Sequence, residues 1–156
     1  MIKRIFISII LIALLFVITG CYDAKSIENY SYVIGLAIDK SDSEKIKLSV
    51  QIANSSSGEG GKTSQSTKSS IISVDCTDIP SGINIINNYS TKKINLSHCT
   101  VIVFSEEIAS EGIKNYIDTL TYNLEVRPTT NIIISKKTGL DFLNSAANSG
   151  EDFSSR

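Results

Sequence analysis

A chain of 156 residues, 42% apolar and with a formal charge of −1, is long enough for one domain with a modest core. It has no tryptophan and few aromatic residues, and no basic stripe runs through it, which excludes nucleic acid as a partner. Its one histidine cannot complete a zinc set with a second.

The amino-terminal stretch fixes where the chain resides. Met1 to Arg4 is positive, Ile5 to Val17 is apolar apart from Ser8, and Ile18-Thr19-Gly20-Cys21 follows. That layout is a secretory signal over residues 1–20, ending in a bacterial lipobox whose cysteine is lipidated and becomes the new N-terminus. A transmembrane anchor is the rival, but the uncharged stretch 5–20 covers roughly 24 Å of a ~30 Å hydrocarbon core. A buried core helix is disfavoured because the run has no polar face. A diacylglyceryl Cys21 supplies two acyl chains at once, which stable attachment requires. Residues 21–156 then carry 13 basic against 16 acidic side chains, with membrane lipid the first expected partner.

Residues 21–29 read as a polar tether. Tyr32–Asp39 is an apolar run containing Gly35, and Ile46, Leu48, Val50 and Ile52 alternate with Lys47, Ser49 and Gln51, which predicts an antiparallel hairpin with one wet face. In the segment 55–70, twelve of sixteen residues are Ser, Thr or Gly and none is apolar, so it reads as a solvated loop inside a domain spanning 30–148. Gly58, Gly60 and Gly61 could suggest a phosphate cradle, but no Walker Lys-Ser/Thr follows. Beyond it, Ile71–Cys76 reads as a strand. Asp78 caps a helix with Ile79, Ile83, Ile86 and Tyr89 on one face. Leu96–Phe104 reads as an interior strand. Helix starts near Glu106 and resumes after Gly112 with Ile113, Tyr116, Ile117, Leu120 and Leu124. Asn131–Ser135 is a further strand, and Gly139–Asn148 a last helix. The expected class is α/β in its α+β form, a mixed sheet with flanking helices that begins with a hairpin. Residues 149–156 give no closing element and read as a truncated lead into a following domain.

Chemistry is sparse. Cys76 and Cys99 could pair in an exported chain or remain as two buried thiols. His98 and Cys99 are neighbours, and adjacent strand positions face opposite ways, so a structural histidine is favoured over a metal ligand. Glu106, Glu107 and Glu111 could be acid–base carboxylates, but acids at a helix start face the positive end of its dipole. No nucleophile is paired with a base at recognisable spacing, so no catalytic residue, metal or cofactor is assigned and an enzyme is not expected.

Four ordered segments resemble the N-terminal domain of the Ger(x)C spore germination lipoproteins. Cys21-Tyr22-Asp23 is similar to that family's Cys-Trp-Asp, and at the same spacing come Ile27-Glu28, Gly35 and Ile38-Asp39-Lys40, with Ala37 where the family has glycine. The Ser/Gly-rich insert follows Val50-Gln51-Ile52. Ser97-His98 leads into Val101–Phe104 and Glu106-Glu107-Ile108-Ala109-Ser110-Glu111-Gly112-Ile113. Leu124-Glu125-Val126-Arg127-Pro128 is the fourth. The resemblance implies a lipid-anchored germinant-receptor subunit on the extracytoplasmic face of the spore inner membrane. It would work with two integral-membrane subunits and would not be an enzyme. Tyr22, Asp23, Glu28, Gly35 and Asp39 are the expected partner-contact residues, with a solvated leader as the plainer reading of the tether. The alternatives are an extracytoplasmic solute-binding lipoprotein, which needs a deep pocket between lobes, and a cell-envelope enzyme with a cleft at His98 or Glu106.

Overall fold

A computed structural model describes residues 3–7, 29–42, 45–53, 69–124 and 126–149. The lipobox, most of the tether with Cys21, Tyr22, Asp23 and Glu28, and the insert 54–68 lie outside the described residues. No described helix is long and apolar enough to cross a membrane.

The centre of the sheet is β1 (Tyr30–Lys40), which is apolar on both faces and buried on both from Gly35 to Asp39. It pairs antiparallel with β2 (Ile46–Ile52), which pairs antiparallel with β3 (Ser70–Cys76). On its other side β1 pairs parallel with a short β4 (Lys93–Asn95) near its start and with β5 (Val101–Ser105) further on. Parallel to β5 runs β6 (Asn131–Ser135), giving the order β3-β2-β1-β5-β6 with β4 off this path. The expected mixed sheet and opening hairpin are therefore present.

Four helices follow. In α1 (Ile79–Tyr89), the Asp78 side chain accepts from the Ser81 N–H at 2.8 Å, Ser81 answers as the other half of a capping box, and Pro80 sits where no donor is needed. Ser105 caps α2 (Glu106–Glu111). Gly112, at φ 108°, ends α2 with a turn that a side chain would strain. Then come α3 (Lys114–Asn123) and α4 (Gly139–Ser149). On one face of the sheet, Leu36, Ile38, Leu48, Val50, Ile102 and Phe104 pack with Ile79, Ile83 and Ile86 of α1, Ile108 of α2 and Leu120 of α3. The other face is smaller, with Ala37, Val101 and Val103 against Leu143 of α4.

Several local expectations change. The face of β2 carrying Ser49 and Gln51 is buried, not wet, because these residues lie opposite Ala37 and Gly35 on the face against which Leu143 of α4 packs. Ser49 and Ser73 share a 2.8 Å bond and Gln51 Nε2 donates to Ser69 Oγ at 2.9 Å, while the buried Gln51 Oε1 has no hydrogen-bond partner among the described residues. Tyr89, at the end of α1, is 89% exposed and leaves the apolar stripe. The strand expected over Leu96–Phe104 starts only at Val101. Relative to β1, three extra residues stand between β4 and β5, and they loop out as a turn in which Cys99 N donates to Leu96 O at 3.0 Å. The short β4 ahead of that turn had no visible pattern.

Candidate functional site

The residues of the Gly35 to Lys40 motif converge on the start of α4. Gly35 lies beneath Leu143: a Cβ there would meet Leu143 Cδ2 at 2.9 Å and Gln51 Oε1 at 3.0 Å. Gly139 lies over Ala37, where an added Cβ would meet the Ala37 Cβ at 2.9 Å and the Val103 carbonyl at 3.2 Å. Small residues at 35, 37 and 139 thus let the helix approach the sheet closely. Asp39, 3% exposed, completes the contact. Its Oδ1 accepts from Gly139 N at 2.5 Å and its Oδ2 from Leu140 N at 3.0 Å, so a carboxylate one hundred residues upstream satisfies donors of the first turn. Thr138 Oγ1 takes the Asp141 N–H at 3.1 Å.

Gly35 and Asp39, expected among the contact residues, are thus inside the fold and engaged with α4. The next residue, Lys40, is exposed and ion-paired with Glu111 at the end of α2. That carboxylate raises the Lys40 ammonium above its ordinary value. Glu106 and Glu107 stand exposed in the first turn of α2, where the helix dipole favours them.

An open depression of about 430 Å³ lies at the carboxyl ends of β1, β5 and β6, lined by Asp39, Lys40, Glu106, Glu107, Lys136 and Lys137 among others. The chain leaves β5 toward one face and β6 toward the other, which opens a crevice at a switch point of the sheet. Its buried polar groups, Asp39 and Ser105, are both committed as helix caps. What faces a solute is therefore exposed lysine and glutamate, with Ser110 and Thr138 beside them.

His98 lies away from this crevice. It is exposed on the turn before β5, its Nδ1 3.1 Å from Ser97 Oγ and its ring edge-on to Tyr32 with centroids 4.7 Å apart. Glu106 is at the opposite end of β5, roughly 15 Å along the strand, so the two groups do not converge. Cys76 and Cys99 are free, buried thiols. They belong to opposite sides of β1 and β2, three strand spacings or about 14 Å apart, well outside bridging range. Burial pushes the Cys99 thiol up to about 12 and also raises that of Cys76. Among the described residues no three metal-ligating side chains come together.

The remaining motif residues also have structural employment. Asn95 Oδ1 accepts from Ser97 N at 2.8 Å and shapes the turn before β5. Val126, 6% exposed, donates its N–H to Leu120 O at 3.2 Å and closes the end of α3. A mixed sheet with two caps supplied from strand ends, carrying these motifs in this order, defines the class. The chain belongs to the family described as the spore germination protein N-terminal domain, whose model matches residues 23–155. It is 28% identical over 146 residues to the putative spore germination protein YfkR of Bacillus subtilis (strain 168), covering 91% of this chain and 38% of that protein. Spore germination protein KC of the same strain is 20% identical over 143 residues, covering 88% of this chain and 35% of its own length. The chain thus spans less than two fifths of these relatives. No solved structure matches it.

Proposed function

We propose that this chain is the lipid-anchored N-terminal part of the C subunit of a spore nutrient germinant receptor. It acts through protein contacts on the extracytoplasmic face of the spore inner membrane, beside two integral-membrane subunits. The observation that carries this reading is family membership over residues 23–155, starting two residues after the lipobox cysteine Cys21. The similarity to spore germination protein KC supports it. A role in contacts rather than turnover fits a crevice whose buried polar groups are helix caps and a histidine remote from the acidic residues.

With Gly35 and Asp39 engaged inside the fold, the contact surface narrows to the tether. Tyr22, Asp23 and Glu28 follow Cys21 closely in sequence, so a lipid on that cysteine would bring them within reach of integral subunits. The test is affinity purification of the protein from sporulating-cell membranes, with its partners identified and Cys21 analysed by mass spectrometry. The expected result is an acylated Cys21 at the mature N-terminus and two co-purifying membrane subunits. A transporter permease in their place would make this a solute-binding lipoprotein, and cleavage elsewhere with no acyl mass on Cys21 would remove the anchor.

A further inference from the structure

We propose that the open edge of β6 pairs antiparallel with the same edge of a second copy of this chain. At the end of the strand order, β6 has no described neighbour on its far side. Asn131 N donates to Thr100 O at 3.0 Å, so residues 131, 133 and 135 address β5 while Ile132 and Ile134 turn their N–H and C=O outward. Those two side chains are 46% and 57% exposed. The sequence Asn-Ile-Ile-Ile-Ser carries no charge or proline, and its register with β5 has no bulge, so within these five residues nothing of that kind blunts the edge before Lys136 and Lys137. The opposite edge, β3, carries Asp75, which accepts from Ser41 Oγ at 2.7 Å.

The alternation also selects the occupant. Only Ile132 and Ile134 offer outward backbone groups, and opposing Ile132 to Ile134 of a second copy puts a two-fold axis through Ile133, so each exchanges both bonds with its mate. The same register sets Asn131 opposite Ser135 and Lys136 opposite Thr130, so no like charges meet and Ile132 and Ile134 of both copies cluster on one face. The following part of the same chain is a poorer candidate. The crossover from β5 to β6 runs over the face covered by α2 and α3, and α4 lies on the other face. A strand added beside β6 directly after α4 would therefore reverse the right hand that such crossovers keep.

The test uses the full chain in detergent micelles with Asn131→Cys and Ser135→Cys introduced together. Within one chain these positions lie ~13 Å apart and cannot bridge. Mild oxidation should give a covalent dimer severalfold above the unsubstituted chain and above Ser73→Cys on the β3 edge. Adding Ile134→Lys should abolish it with an unchanged circular dichroism spectrum. Sedimentation of the unsubstituted chain should show a two-chain species that Ile134→Lys converts to one. A dimer yield no greater than that of Ser73→Cys, a yield indifferent to Ile134→Lys, or a one-chain species in sedimentation would overturn the proposal.

Discussion

Asp39 holds two N–H groups of α4 with a carboxylate that solvent barely reaches, so removing it strands donors that water cannot satisfy. Asp39→Ala should cost about 2–3 kcal/mol, the upper end for a helix cap, and Asp39→Asn should recover part of this because one acceptor oxygen remains. Urea unfolding checks it as a lowered midpoint with an unchanged slope. Gly35→Ala should cost about 1–3 kcal/mol, since its Cβ lands 2.9 Å from Leu143 in a packed layer. Cys99 makes a pH prediction. Its thiol is raised from 9.0 to about 12 by burial, so the folded state holds a proton that the unfolded state releases first. The resulting stability is intact below pH 9 and is lost as pH rises toward 12. Unfolding midpoints taken across pH 8 to 10.5 should fall less steeply in Cys99→Ala. His98 is exposed, with an edge contact to Tyr32 and a local hydrogen bond to Ser97 Oγ, so His98→Gln should change the midpoint little.

At the scale of elements, the insert between β2 and β3 carries a prediction that register explains. Ile52 pairs with Ser70, so the strand ends that the insert joins are neighbours in the ladder, much closer than the ~20–24 Å a free coil of that length would span. Replacing residues 55–68 by a few Gly/Ser should leave the melting temperature nearly unchanged, since halving a loop alters closure entropy by ~0.6 kcal/mol. A large fall would mean that the segment packs. Local signals made most elements legible. The β1–β2 hairpin, the Asp78 cap, the break at Gly112 and the strand at Asn131–Ser135 all rest on residues within a few positions of one another. What stayed hidden was non-local. The burial of Ser49 and Gln51 depends on α4 packing over their face of the sheet, β4 exists only because β1 offers it a partner, and the cap of α4 comes from Asp39. Thr138 was the only local hint of a cap, and no periodicity marks a carboxylate one hundred residues away.

For the whole molecule, the described sheet claims the family motif for its own packing. The Gly35 to Lys40 motif that resembles the family signature is used up in seating α4 and pairing with α2, and the crevice beside it presents exposed charges and hydroxyls. On the proposed function, Tyr22, Asp23 and Glu28, close in sequence to Cys21, are the residues to test for that contact. The most direct test is recovery of the membrane subunits from spores carrying Tyr22→Ala and Asp23→Ala together, at normal protein level and with Cys21 acylated. The account predicts that co-purification and nutrient-triggered germination both fall while the domain keeps its melting temperature. Full recovery of the complex and normal germination in that variant would contradict it.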